Sequence, residues 1–183
     1  MNRRQRKALL KIARDTIDRY LRTGERLDAK VDDDLLKQDM GAFVTLREHG
    51  NLRGCIGHME ARAPLYLTIR DMAIAAAARD PRFEPVTLGE MDAIDIEISV
   101  LTPMERIEDY NMIEPGKHGV MVMRGLRSGV YLPQVAVETG WDRDQFMTSL
   151  CAHKAGIPAN AWKTGDCDIY IFTAEVFGEK DNE

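Results

Sequence analysis

The stretch from Ala93 to Leu101 constrains the fold more than any other part of the chain. Ile94, Ile96, Ile98 and Val100 alternate there with Asp95, Glu97 and Ser99. Successive side chains of a strand point to opposite faces, so the pattern predicts a half-buried strand with one wet side. Pro103 ends it, because proline cannot donate to a ladder.

The other elements arrange themselves around such a strand. Residues 3 to 22 carry Leu9, Ile12, Ala13, Ile17, Tyr20 and Leu21 at helical spacing, with Gly24 as a stop signal. Glu25 to Gln38 is charged and reads as irregular. Ala42 to Leu46 reads as a strand, His49-Gly50-Asn51 as a turn, and Leu52 to Ile56 as the returning strand of a hairpin. Pro64 opens a helix that runs through the alanine run Ala75 to Ala78 and stops before Asp80-Pro81. Gly119 to Met123 and Gly129 to Leu132 flank Arg124 to Ser128, a second hairpin. Asp142 is placed to cap a helix from about Arg143 to Ala155. Asp168 to Val176 reads as one final strand, with Tyr170, Phe172, Ala174 and Val176 on a shared face. Strands in hairpins with helices between the groups predict an α+β fold with a mainly antiparallel sheet flanked by helices. No repeat or linker divides the chain, and a single domain is expected, its core from about residue 5 to 177.

With 183 residues there is enough chain for a substantial core. A 44% apolar and 30% charged composition is that of an ordinary globular protein, and no apolar run approaches the length that crosses a bilayer. The basic start, Arg3 to Lys7, lacks the apolar stretch of a secretory signal, so the cytosol is the expected location. A net charge of −5 argues against a protein that grips nucleic-acid backbones over a broad surface. GxGxxG, P-loop, HExxH and EF-hand patterns are missing from the sequence, and no cofactor is expected.

The sharpest local feature is Leu52-Arg53-Gly54-Cys55-Ile56-Gly57. Glycines weaken strands, so Gly54 and Gly57 around a cysteine call for a cause: close approach of a ligand or another backbone, or a bulge. In an unbroken strand Arg53 and Cys55 share a face, and a guanidinium beside the thiol would favour the nucleophilic thiolate. Cys55 is therefore a candidate nucleophile, redox centre or soft metal ligand; equally, it could be a small side chain packed at a tight crossing. Four histidines, His49, His58, His118 and His153, are available as a base. Cys55, His58, Cys151 and His153 do not have the spacing of a zinc site, and no metal is expected. Arg79-Asp80-Pro81-Arg82-Phe83 is a rigid corner in which Arg82 and Asp80 could hold an anionic ligand, or Asp80 could simply pair with an arginine. Asp95 and Glu97 are conceivable acids or bases, although carboxylates on a wet strand face are usually only solvated.

Several blocks together resemble the AMMECR1 family: Gly41 to Leu46 with Leu52 to Gly57, Asp80 to Phe83 with Pro85, Ile98 to Pro103, and Leu132 to Ala136 with Trp141 and Lys154 to Gly156. The resemblance spans roughly residues 5 to 177. It implies an α+β domain with a larger and a smaller subdomain, and a functional site at the LRGCIG segment. It further implies association with a Memo-like protein and a radical SAM protein. His58 and Cys167 lie outside the family pattern. Two readings follow for the site: an enzyme or enzyme component built on Cys55 and Arg53 with binding by Gly54, Gly57, Asp80 and Arg82, or a non-catalytic partner protein. A nucleic-acid role is a weaker third.

Overall fold

A computed structural model describes residues 1–182. The strands fall into two four-stranded sheets rather than one, and the chain divides into two compact units. The first holds Met1–Leu101 together with the residues from Glu175 onward; the second is the intervening Thr102–Ala174.

In the first unit the sheet runs β2 (Asn51–His58), β1 (Ala42–Glu48), β3 (Ile94–Leu101), β8 (Ala174–Gly178). Helices α1 (Arg3–Thr23) and α2 (Leu65–Ala78) pack on each other and on the sheet. Asn2 and Gln5 form a capping box that satisfies the first turn of α1, and Gly24 closes its last. Leu9, Ala13 and Ile17, one turn apart, bury themselves with Ile69, Ala73 and Ala76 of α2 and Val44, Leu46, Ile96 and Ile98 of the sheet. β3 buries its four expected apolar side chains. Its polar side is not uniformly wet, because Ser99 is buried as well. The β1–β2 hairpin turns on two residues, His49 and Gly50, both with positive φ (51° and 84°), the backbone a tight primed turn requires.

The second unit orders its strands β4 (Glu105–Ile107), β7 (Asp168–Phe172), β5 (Gly119–Arg124), β6 (Arg127–Tyr131). Its core gathers Val120, Val122, Ile169 and Ile171 around Phe146, Met147, Leu150 and Trp162. Helices α3 (Pro133–Thr139), α4 (Arg143–Ser149) and α5 (Ala161–Thr164) supply the rest. The β5–β6 turn is tighter than the sequence suggests, with Arg124 paired directly to Arg127. Asp142 caps α4 as expected, but the helix widens into a π-helical turn from Leu150 to Ala155 before Gly156 ends it.

The expected single strand from Asp168 to Val176 is two strands in two sheets. Thr173 leaves the ladder between them: its N–H donates to Thr102 Oγ1 at 2.9 Å, and its carbonyl accepts from the Thr102 N–H at 3.0 Å. Of the expected shared face, Phe172 is buried and Val176 is exposed; Ile169 and Ile171 are also buried in β7, and Phe177 is buried in β8.

Candidate functional site

β2 is the outermost strand of its sheet, so one row of its backbone groups faces away from β1. At Cys55 that row is taken by the corner after α2. Asp80 Oδ2 accepts from the Cys55 N–H at 2.9 Å, and Arg82 Nη2 donates to the Cys55 carbonyl at 3.2 Å. Asp80 and Arg82 are joined by a forked ion pair, Nε to Oδ1 at 2.9 Å and Nη2 to Oδ2 at 2.6 Å. Asp80 is 4% exposed, while the Arg82 side chain reaches solvent. The Arg82 guanidinium holds the Asp80 carboxyl well below the usual carboxylate range; burial opposes this, and the N–H groups of Cys55 and Arg82 reinforce it. Asp80 in turn raises Arg82, with the Cys55 thiol adding a smaller contribution.

The Cys55 side chain is half-buried. Cys55 stands opposite Thr45 on β1, and the Thr45 hydroxyl donates to its sulfur at 3.3 Å. Thr45 stands in turn opposite Glu97 on β3, so Cys55, Thr45 and Glu97 form a row across three strands. Glu97 lies 3.9 Å from Arg47.

Arg53 is placed differently from the expectation. Leu46 pairs with Gly54 and Arg47 with Leu52, which leaves Arg53 as the extra residue of a β-bulge. The two-residue period does not carry across a bulge. The Arg53 guanidinium bonds to Glu90 Oε1 at 2.8 Å and to the carbonyls of Glu84 and Pro85. It pulls the Glu90 carboxyl down to about 2. The arginine bonded to Cys55 is Arg82, and it is bound there through the backbone. Its fork is already closed on Asp80, which leaves little of it for an anionic ligand.

Packing accounts for both glycines. A Cβ at Gly54 would stand 2.2 Å from the Ala76 carbonyl oxygen, because α2 crosses β2 there. One at Gly57 would meet the Ala42 carbonyl and the Phe43 ring at 2.3–2.4 Å. His58 bonds the Glu60 carbonyl, and His49 sits in the hairpin turn, so neither histidine is placed on the thiol as a base. Among the described residues no group of three or more histidine, cysteine, aspartate or glutamate side chains converges as a metal site.

Two contributors escaped the sequence reading. Thr45 could have been found from the turn, because His49-Gly50 fixes the register that sets it opposite Cys55. Glu90 had a signal of its own, since Thr87-Leu88-Gly89-Glu90 is a capping-box pattern and forms one.

Fold and site together define an α+β protein of two sheets, with a half-buried thiol on an edge strand whose open side is closed by an aspartate–arginine corner. The AMMECR1 family model matches residues 10–177, and the chain belongs to the AMMECR1 family. Protein MK0488 of Methanopyrus kandleri is 44% identical over 184 residues, covering 96% of this chain and 88% of that protein. A relative from Methanothermobacter thermautotrophicus is 43% identical over 186 residues, covering 98% and 96%. The crystal structure of the uncharacterized protein PH0010 from Pyrococcus horikoshii superposes with a TM-score of 0.85 at 42% identity, covering 94% of this chain and 90% of that one. No helix among the described residues is long and apolar enough to cross a membrane.

Proposed function

We propose that the chain acts through the Cys55 thiol, as an enzyme or as a component of one. The observation that supports this is the way Cys55 is held. Its sulfur receives a hydroxyl hydrogen bond, and both its outward backbone groups are clamped by an ion pair whose carboxylate is buried, yet the side chain remains half-open. Reacting groups need positioning of this kind more than core cysteines do. In this reading Cys55 is the reacting group. Thr45 orients its sulfur, Asp80 and Arg82 fix its backbone, and Arg53 with Glu90 anchors the flanking loop. Gly54 and Gly57 let α2 and Phe43 close in behind it.

The other two cysteines provide the internal comparison. Burial pushes the Cys151 thiol up to about 12 and the Cys167 thiol upward as well. Limited alkylation with iodoacetamide at pH 7.5, followed by peptide mapping, is expected to label Cys55 first. Labelling of Cys167 before Cys55, or a Cys55 inert in the folded protein, overturns the proposal. Metabolite profiles of Cys55→Ala and whole-gene deletion strains in the native host should then coincide.

One observation favours a second reading, a partner-binding role with a Memo-like or radical SAM protein. β2 is a sheet edge, and Leu52 on it is exposed. Leu52→Asp should then abolish co-purification with such a partner while Cys55 alkylation continues unchanged. Gly54→Val is unsuitable for this purpose, because its side chain would collide with α2. The acidic net charge of −5 leaves the nucleic-acid reading with least support.

A further inference from the structure

The face of the first sheet that carries Cys55 holds two more charged groups, and neither is closed. Side chains alternate along a strand, so Arg47, two residues beyond Thr45 on β1, shares that face. Glu97 stands opposite Thr45, and its carboxylate lies 3.9 Å from the Arg47 guanidinium. That is beyond hydrogen-bond distance, and among the described residues neither side chain makes a hydrogen bond. Asp95, directly opposite Arg47, is already held by Lys180. Other carboxylates of the unit are treated differently: Asp80, Glu90, Glu175 and Glu179 each accept from two or more donors. The Arg47 and Glu97 side chains are 38% and 33% exposed, and a pair so loose and so open adds little to stability. A fork of donors and a carboxylate's acceptors are thus left side by side, both available to a ligand.

We propose that Arg47 and Glu97 bind the head group of an α-amino acid and direct its side chain onto Cys55. This rests on Cys55 as the reacting group and names the class of molecule that meets it. An α-amino acid carries its ammonium and its carboxylate on one carbon, so its two charges stand about as far apart as the Glu97 carboxylate and the Arg47 guanidinium. The ammonium donates to Glu97, and the carboxylate lies in the Arg47 fork, where planar bidentate pairing is available. A ligand with a single charge leaves half of the pair unmet. Strands in a sheet lie about 4.8 Å apart, which puts the head group roughly 5–10 Å from the Cys55 position. The side chain must therefore cross Thr45 and carry its electrophilic carbon a few atoms beyond the α-carbon. Thr45, buried between the two groups, forms the floor of that crossing, and its hydroxyl already points at the sulfur. Shorter amino acids fill the head-group site without reaching the thiol.

The test uses the full chain and an aspartate analogue whose side-chain carboxyl is replaced by a chloromethyl ketone. The Cys55 thiolate attacks the chloromethylene carbon; the C–S bond forms, the C–Cl bond breaks, chloride leaves and the thiol proton goes to solvent. Labelling is followed by peptide mapping, and each rate is divided by the iodoacetamide rate of the same chain, which reports the thiol itself. The amino-acid reagent is expected to saturate with concentration and to exceed chloroacetone, which has no head group, by roughly tenfold or more. Chlorolevulinate, which keeps the carboxylate and lacks the ammonium, should fall well short of it. Arg47→Ala and Glu97→Gln, checked for folding by circular dichroism, should each return the amino-acid reagent to the chloroacetone level. Labelling that does not saturate, or a ratio that either variant leaves unchanged, overturns the head-group site while a Cys55 that still takes iodoacetamide keeps its role as the reacting group. A Cys55 inert to every reagent overturns both.

Discussion

Asp80 does for one residue of β2 what a neighbouring strand would do for all of them. It accepts the Cys55 N–H, while Arg82, held by the same carboxylate, donates to the Cys55 carbonyl. Removing the carboxylate leaves that N–H and the guanidinium without their partner. Asp80→Ala is expected to lower stability by about 1–3 kcal/mol in urea unfolding, the scale of a buried donor left unmet. It should also loosen Cys55 enough to change its alkylation rate. The acid limb of stability carries the same signature. The folded-state carboxyls of Asp80 and Glu90 lie below their ordinary values of 3.8 and 4.5, so each contributes stability that is complete above those values. That contribution drains as pH falls, for Glu90 between about 4.5 and about 2. Urea midpoints measured from pH 6 to pH 2.5 should drop in this window, and Asp80→Asn with Glu90→Gln should flatten the drop.

At the scale of elements, the β1–β2 hairpin decides which residues meet. Its two-residue turn sets Thr45 against Cys55, and the bulge downstream turns Arg53 away toward Glu90. A β-branched residue in the left-handed region is disfavoured by roughly 1–2 kcal/mol, so His49→Val should destabilise by that amount, whereas His49→Asn should be neutral or slightly stabilising in thermal melts. Gly54→Ala is a harsher change. Its Cβ meets backbone rather than a side chain that could swing aside, and the expected loss is roughly 3 kcal/mol, at the upper end for overpacking.

These two elements also show what could be read without coordinates. The hairpin, α1 with its Gly24 stop and the alternation of β3 were legible because each is written in neighbouring residues: a turn pair, a four-residue spacing, a two-residue spacing. A bulge was one of the causes the glycines suggested, but its place at Arg53 was not legible, because only the pairing with β1 fixes it. The break at Thr173 was hidden for a related reason. Residues 168–176 hold no glycine or proline to mark a break, and only the pairing with Thr102 stops the ladder. At the site, Cys55 and the Asp80–Arg82 pairing were visible in sequence. Their meeting was not, because it depends on the corner after α2 returning to the edge of β2.

For the whole molecule, the second unit is an insertion. The chain leaves the first sheet at the end of β3 and re-enters it in β8, the strand next to β3. The two ends of the insertion are held together by Thr102 and Thr173. Replacing the residues from Thr102 to Thr173 with a short glycine-serine linker should therefore preserve the first unit. Its circular dichroism and an unchanged alkylation rate of Cys55, the one cysteine left, are the measurements that check this, and loss of cooperative unfolding would show that the first unit depends on the second.

β8 brings Phe177, 1% exposed, and just after the strand comes Glu179, which bonds Arg14 of α1 at 2.5 Å and accepts from the Ile96 N–H at 2.9 Å. Burying such a phenylalanine is worth roughly 1.5–3 kcal/mol. On the ribosome these residues follow the entire insertion. Translation thus imposes a sequence of assembly: the thiol-bearing sheet waits, short of its fourth strand, while the second unit emerges and can fold in one uninterrupted piece. The protein completes the sheet that carries its candidate site only after the part of the chain that does not contain that site.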